Sequence, residues 1–232
     1  MTERRSYPQG SYSRPPGAIE IVLVRHGASE PTVEGQPFEL LEGQADPGLA
    51  PEGVLQARAI ATALAHEPLA ALFVTTLCRT AQTAAPLAAA TGLEPIVVAE
   101  LREIHLGELD GGAFRIAMHA GDPRIPEVFR QERWDVSDGA ERMEQFGART
   151  RAGIDRIVAS ARPGALIAAV VHGGVIGELC HQATGSTPFA FTRADNGSLT
   201  RLVVQSDGRW WLRSYNEVGH LPAATHVTPI SG

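Results

Sequence analysis

The sequence contains no lysine, and all 20 basic residues among its 232 are arginine. Without lysine the chain has no amine for a Schiff base or for pyridoxal phosphate, and it lacks the lysine of a phosphate-loop nucleotidase. Cysteine is also scarce, because Cys78 and Cys180 form neither a CxxC site nor a disulfide framework. These absences lead us to expect a reduced, cytoplasmic protein.

Long apolar runs are missing as well. The longest, Ala165 to Val171, has seven residues, far short of the ~20 that a membrane helix needs. No apolar segment follows Arg4 and Arg5, so a twin-arginine export signal is excluded. The net charge of −6 does not point to nucleic acid or an anionic membrane as a partner. We predict a disordered tail over residues 1–18, rich in Ser, Pro and Gly, followed by a single domain over 19–232.

Short apolar runs alternate with segments of helical period along that domain. We predict strands at 19–24, 70–75, 95–98 and 165–171, and a closing hairpin from 199–204 and 210–213. Helices are predicted from Pro51 to about 65, over 79–91, over about 140–161 and from Gly173 onward. This alternation predicts an α/β fold, a three-layer α/β/α sandwich with a mostly parallel central sheet. Residues 112–138 show no clean period and are predicted to be a helical cap insertion.

Chemically capable side chains follow the predicted strands. Arg25 and His26 follow the first strand, and His172 follows the strand at 165–171. Arg79 opens the helix after the second strand, and Glu103 lies shortly after the third. Because ligands bind beyond the carboxyl ends of parallel strands, we expect these five residues to share one crevice.

Together these groups suit phosphoryl transfer. Guanidinium forks match phosphate oxygens, and neighbouring arginines keep an imidazole neutral and nucleophilic. Gly27 after His26 allows a close backbone approach to the ligand. A carboxylic acid can protonate the leaving group. No metal or other cofactor is required, since the arginines and second histidine stabilise the developing charge.

Five segments, in this order, resemble the histidine phosphatase superfamily, also called the phosphoglycerate mutase-like family. They are Arg25-His26-Gly27, the stretch from Gly43 to Ala57, the stretch from Leu77 to Ala84, the stretch from Leu101 to Gly111, and the stretch from Val171 to Ile176. The resemblance extends over about residues 19–221. It implies the sandwich fold and phosphohistidine chemistry.

The resemblance also implies roles for individual residues. His26 is the phosphorylated nucleophile, while Arg25, Arg79 and His172 hold the phosphoryl oxygens. Glu103 is the proton donor and later the base for water, although Glu100, Glu108 and Asp110 are rival donors by proximity alone. The Gly173 backbone N–H and the region of Gln44 complete the substrate pocket.

The resemblance leaves phosphatase and mutase open. The mutases carry Glu-Arg-His-Tyr-Gly where this chain has Glu103-Ile104-His105-Leu106-Gly107, and they use a lysine that this chain lacks. We therefore favour a metal-independent phosphomonoesterase that hydrolyses a small phosphorylated metabolite through phospho-His26. The insertion's arginines keep the mutase open, because they are able to replace the missing anion contacts: Arg115, Arg124, Arg130 and Arg133.

A third hypothesis is a non-catalytic protein of the same fold that binds a phosphorylated ligand. Such a protein is expected to have lost its nucleophile or its acid, whereas His26 and Glu103 are both present. A homodimer is the assembly we expect if the protein oligomerises, since dimers are the commonest assembly.

Overall fold

The structure, a computed structural model, describes residues 7–222. The first third of the predicted tail, residues 1–6, lies outside the described residues, as do residues 223–232. Residues 7–18 contain neither helix nor strand. None of the helices in residues 7–222 is long and apolar enough to span a membrane.

A six-stranded sheet forms the centre of the domain. The strands of the described chain are β1 (Ile19–Arg25), β2 (Leu40–Leu41), β3 (Gln44–Ala45), β4 (Leu69–Val74), β5 (Pro95–Val97), β6 (Leu166–Val171), β7 (Leu199–Val204) and β8 (Trp210–Glu217). The order in the sheet is β5-β4-β6-β1-β7-β8, and the first four are mutually parallel. Strand β7 runs antiparallel to both of its neighbours. The predicted mostly parallel sheet is confirmed, whereas the small β2–β3 ribbon was not predicted.

Helices cover both faces of this sheet. They are α1 (Pro51–Leu64), α2 (Cys78–Thr91), α3 (Ala113–Ala120), α4 (Arg124–Gln131), α5 (Met143–Ser160) and α6 (Gly173–Thr184). Helix α1 begins with proline at its first position, where the missing N–H costs nothing. Helix α2 continues through Pro86 and ends at Gly92, whose φ of 71° suits glycine.

The core lies in two layers because alternate residues of each strand face opposite sides of the sheet. Ile21, Leu23 and Ile167 belong to the layer under α5 and α6. Val22 and Val24 belong to the layer under α1 and α2. Because both faces are covered, strands β4 and β6 are apolar throughout, and the predicted three-layer sandwich is confirmed.

The pairing of β1 with β6 positions the crevice. Arg25 lies opposite Val171 in the parallel register, and the His26 N–H donates to the Val171 carbonyl at 3.0 Å. The residues that follow the two strands, His26 and His172, are therefore neighbours at the carboxyl edge of the sheet centre.

The insertion at 112–138 contains α3 and α4, two eight-residue helices separated by a short turn. This break explains why the sequence shows no continuous period there. The Trp134 ring lies 5.8 Å from Phe114 and 4.7 Å from Phe189, measured between ring centroids. The aromatic contacts tie the predicted helical cap to the segment after α6.

The second half of the predicted tail contacts the domain. Arg14 donates hydrogen bonds to the carbonyls of Gly164 and Ala165 at 2.6 and 3.0 Å. Its neighbour Tyr12 stacks under the Arg213 guanidinium at 4.2 Å, and Ala18 is fully buried. These contacts fasten residues 12–18 to the domain.

Candidate active site

The predicted site residues meet in one crevice. The rings of His26 and His172 lie edge to face with centroids 5.2 Å apart, and both are buried. The Gly174 N–H, two residues after His172, donates to Glu103 at 3.0 Å, and a Cβ on Gly173 would lie 3.2 Å from Arg25 Nε. Burial, followed by the charges of Arg79 and Arg25, lowers the pKa of both histidines. The five residues from four separate segments thus form one cluster.

His26 has one nitrogen engaged and one available. Its Nδ1 lies 2.8 Å from the Gly27 carbonyl oxygen. Because a carbonyl only accepts, Nδ1 carries the proton and Nε2 keeps its lone pair. Burial, Arg79 and Arg25 hold the pKa of His26 well below its usual value. The imidazole is therefore neutral, and its Nε2 carries a lone pair.

His172 is held by a residue that the sequence analysis missed. Its Nε2 lies 2.9 Å from Oγ1 of Thr75, which follows β4. Its Nδ1 is buried and has no hydrogen-bond partner among the described residues. Burial, together with Arg79, also lowers the pKa of His172 well below its usual value. Thr75 stands at the end of a strand, four residues before Arg79, and this position in the sequence could have indicated that it belongs to the site.

The two arginines keep donors free. Arg25 donates to the Ala194 carbonyl, while its Nε is buried without a partner within residues 7–222. Arg79 donates to the Ala45 carbonyl at 3.0 Å and lies 3.8 Å from Asp46. Burial lowers the pKa of both guanidiniums, which nevertheless stay charged. The crevice therefore contains two buried positive charges, which favour an anion.

Glu103 lies against the start of α6. Its Oε2 accepts from the Gly174 N–H at 3.0 Å and its Oε1 from the Ile104 N–H at 3.0 Å. Its rivals are engaged elsewhere: Glu100 with Arg156, Glu108 with Arg124, and Asp110 with the backbone N–H groups of Ala45 and Leu106. Geometry thus favours Glu103 among the four carboxyls.

A second missed residue, Arg149 of α5, holds the segment that carries Glu103. It donates to the carbonyls of Glu100, Arg102 and Glu103 at 2.9, 2.6 and 2.9 Å. It also pairs with both carboxylate oxygens of Glu141. No pattern in the sequence connects residues 46 positions apart, so nothing there indicated this role.

Gln44, Gly173 and Gly27, three further residues singled out in the sequence, each lie in close contact with a neighbouring segment. Gln44 is buried and donates to the Glu103 carbonyl at 2.7 Å, so it contacts the backbone beside the predicted acid. A Cβ on Gly173 would lie 3.2 Å from Arg25 Nε. A Cβ on Gly27 would lie 2.5 Å from the Gly53 carbonyl oxygen. The close approach at Gly27 is therefore to α1, a different partner from the ligand that the sequence suggested.

The thiol of Cys78, next to Arg79, is not activated as a nucleophile. Burial and Asp46 raise the pKa of the Cys78 thiol to about 11, so it is protonated at neutral pH. Within the described residues, no three His, Cys, Asp or Glu side chains are grouped so as to hold a metal ion.

Comparison with known proteins agrees with the geometry. Residues 21–218 match the histidine phosphatase superfamily (branch 1). A metal-independent phosphoserine phosphatase of Arabidopsis thaliana is 29% identical over 87% of this chain and 83% of its own. The probable phosphoglycerate mutase of Yersinia enterocolitica is 28% identical over 88% of this chain and 95% of its own. The solved mycobacterial glucosyl-3-phosphoglycerate phosphatase superposes with a TM-score of 0.70 at 27% identity, over 87% and 100% of the two chains.

The family match and the phosphatase relatives place the chain among the phosphoric monoester hydrolases. The chain belongs to the histidine phosphatase superfamily, which confirms the resemblance seen in the sequence.

Proposed function

We propose that this protein is a metal-independent phosphomonoesterase that works through a phosphohistidine on His26. One observation carries the proposal. The unprotonated Nε2 of His26 shares a buried crevice with two polar atoms that lack partners among the described residues, Arg25 Nε and His172 Nδ1. Unpaired buried donors are costly, and a phosphoryl group would satisfy both.

In the first step, His26 Nε2 attacks phosphorus, an N–P bond forms, and the ester O–P bond breaks. Arg25 and Arg79 donate to the non-bridging oxygens and stabilise their charge. When the Thr75 hydroxyl donates to Nε2 of His172, Nδ1 carries a proton and becomes another donor. Protonated Glu103 gives its proton to the departing oxygen, so the dephosphorylated part of the substrate leaves as a neutral alcohol.

In the second step, water replaces the alcohol. Glu103, now a carboxylate, takes a proton from the water as its oxygen attacks phosphorus. The N–P bond breaks and returns its electron pair to His26 Nε2, and inorganic phosphate leaves. The Gly174 N–H that binds Glu103 Oε2 keeps the carboxyl aimed at the same place in both steps.

The relatives support a small phosphorylated metabolite as the substrate. By their names, one acts on phosphoserine without a metal and another on glucosyl-3-phosphoglycerate. The segment 104–106 also favours hydrolysis. Ile104 is buried in the core and Leu106 packs against it, so neither replaces the arginine and tyrosine of the mutases. A mutase-type transfer is the second candidate, because of the relative from Yersinia.

The test is phosphate release in EDTA from p-nitrophenyl phosphate and glycerol 3-phosphate. We expect turnover by the wild type and loss of at least about 10³-fold in His26→Ala, since the nucleophile is gone. We expect Glu103→Gln to slow glycerol 3-phosphate more than p-nitrophenyl phosphate, whose leaving group departs unaided. Activity that returns only with a divalent ion, or that survives in His26→Ala, would overturn the proposal.

A further inference from the structure

We propose that Asn216 is a positioning residue for Arg25, because its side chain binds the N–H of the peptide group whose carbonyl binds the Arg25 guanidinium. This inference rests on the proposed function, in which Arg25 binds the phosphoryl group. It adds a residue of β8, outside the crevice, that determines how tightly that group is bound. The argument follows the hydrogen bonds from β8 to the end of β1.

The turn that precedes β7, residues 194–198, lies against Arg25. The Arg25 N–H donates to the Ser198 carbonyl at 3.0 Å, and the Gly197 N–H donates to the Arg25 carbonyl at 3.1 Å. The Arg25 guanidinium donates to the Ala194 carbonyl. Both the main chain and the side chain of Arg25 therefore bind this turn, so the orientation of the guanidinium depends on the position of the turn.

One peptide group, between Ala194 and Asp195, connects Asn216 to Arg25. Its carbonyl accepts from the Arg25 guanidinium, and its N–H donates to Asn216 Oδ1 at 2.7 Å. A peptide group is planar and rigid, so its N–H cannot turn without turning its carbonyl. Asn216 and Arg25 thus bind opposite sides of a single rigid unit, and the amide of Asn216 fixes the direction of the acceptor that Arg25 uses.

A second hydrogen bond from Asn216 holds the side chain of the same aspartate. Asn216 Nδ2 donates to Asp195 Oδ2 at 2.8 Å, so both ends of the amide are bound to Asp195. Burial lowers the pKa of Arg25, whereas the charges of Glu103 and Asp195 raise it. The Asp195 carboxylate therefore acts as a counter-charge to the buried guanidinium, and Asn216 keeps it in place.

The backbone of β8 is distorted at Asn216. Its φ of 54° lies in the left-handed region, which asparagine tolerates better than most residues other than glycine. Between the pairs Leu199–Glu217 and Arg201–Ser214, β8 contains one residue more than β7, so Asn216 lies in a β-bulge. Bulges beside active sites re-aim side chains, and strained backbone of this kind often marks a functional constraint. The bulge is thus consistent with a side chain that has a specific target.

The orientation of Arg25 matters because its donors point in fixed directions. A guanidinium is planar, so a rotation that misdirects one N–H misdirects all of them. Arg25 Nε is buried without a partner in the part of the chain that the structure describes, and it is one of the donors that a phosphoryl group would satisfy. Without Asn216 the Ala194 carbonyl is no longer held in one direction, and Arg25 loses the fixed geometry that favours a bound phosphate.

The test measures the dissociation constant of inorganic phosphate by calorimetry. Asn216→Gly removes both hydrogen bonds and suits the left-handed backbone. We expect this variant to bind phosphate about fivefold more weakly or worse. A dissociation constant describes the folded molecules, so a loss of stability alone does not change it. In Arg25→Gln, which already binds phosphate weakly, adding Asn216→Gly should change the constant by less than about twofold, because Asn216 acts through Arg25.

A rescue and a matched control sharpen the test. Asn216→Asp brings a second carboxylate against Asp195 and should weaken phosphate binding like Asn216→Gly. Adding Asp195→Asn to it restores both hydrogen bonds with the amide and the carboxylate exchanged, so affinity should return to within about twofold of the wild type. Thr200→Val removes the hydroxyl that accepts from the Asn216 N–H at 3.2 Å and leaves the side-chain pair intact. This control should bind phosphate within about twofold of the wild type.

Three outcomes would overturn the inference: wild-type affinity in Asn216→Gly, an equal loss in Thr200→Val, or no rescue by Asp195→Asn. The role of Asn216 and the proposed function fail separately. If the wild type binds phosphate but does not hydrolyse p-nitrophenyl phosphate, the proposed function fails, and the phosphate affinities of the variants still decide the role of Asn216. A wild type that binds no phosphate would overturn both.

Discussion

The two histidines of the crevice resemble each other in sequence but differ in what holds them. His26 binds a backbone carbonyl, which only accepts, so its tautomer is set by the chain itself. His172 binds the hydroxyl of Thr75, which is able to donate or accept. This difference suits the two proposed roles. A nucleophile needs a lone pair that is always available, whereas a group that donates to a phosphoryl oxygen needs a proton on the nitrogen that faces it.

At the scale of single residues, Gly174→Ala tests how Glu103 is positioned. An added Cβ would lie 2.5 Å from Glu103 Oε1, so the carboxyl must move away. We expect release from glycerol 3-phosphate to fall about tenfold or more, with p-nitrophenyl phosphate changed by less than about threefold. Steady-state rates on both substrates provide the measurement.

The comparator for Gly174→Ala is Glu103→Gln. Because both changes remove the same proton donor, the double variant should be no slower than Glu103→Gln alone. Independent, multiplying effects of the two changes would show that Gly174 acts through something other than Glu103.

At the scale of elements, helix α5 organises the segment between β5 and α3. Arg149 satisfies three carbonyls there and pairs with Glu141. In Arg149→Met these carbonyls and the carboxylate lose their partner. We expect a loss of about 2–4 kcal/mol in the free energy of unfolding, measured by urea titration.

Helix α5 also provides the control. Arg156 lies seven residues further along and forms an exposed pair with Glu100 at 3.1 Å. Arg156→Met should change the free energy of unfolding by less than about 1 kcal/mol. Equal losses in the two variants would show that Arg149 contributes only an ordinary surface charge.

The elements that could be predicted are those with a local signal. Strand β6 is a continuous apolar run, and β1 and β7 are mostly apolar. Helix α1 begins with a proline, and a glycine follows the last residue of α2. The β2–β3 ribbon has two residues in each strand, too few for any alternation to show. Helices α3 and α4 are so short that their periods run together.

The residues of the site likewise fall into those with a local signal in the sequence and those without one. His26 and His172 stand directly after strands, so the topology of a parallel sheet brings them together and the sequence indicates it. Thr75 and Arg149 act through hydrogen bonds across 97 and 46 residues. Such contacts depend on how the layers pack, which local pattern does not encode.

At the scale of the whole molecule, the burial of the histidines links the crevice to stability. His26 and His172 have folded-state pKa values well below 6.5, the value expected in the unfolded chain. Below about pH 6.5 the unfolded chain therefore binds protons that the folded protein does not. The stability that the neutral histidines permit is present above that pH and is lost as the pH falls.

Urea titrations at pH 5.0, 5.5, 6.0 and 7.5 measure this effect. Each such histidine contributes a slope of about 1.4 kcal/mol per pH unit once the unfolded chain is fully protonated there. His220, whose pKa burial also lowers, adds to the wild-type slope. His172→Gln should reduce the slope by about the share of one histidine, and parallel curves for the two proteins would contradict this account.

The segment around Arg14 and the crevice lie at opposite ends of strand β6. Arg14 is fastened beside Ala165, just before β6, whereas His172 follows the last residue of that strand. Six strand residues at about 3.3 Å each place these points roughly 20 Å apart, on opposite edges of the sheet. A surface linker attached to the segment that Arg14 fastens would thus leave from the side of the enzyme opposite the crevice. Immobilised molecules would all present their crevices to the solution, with the cap facing the incoming substrate.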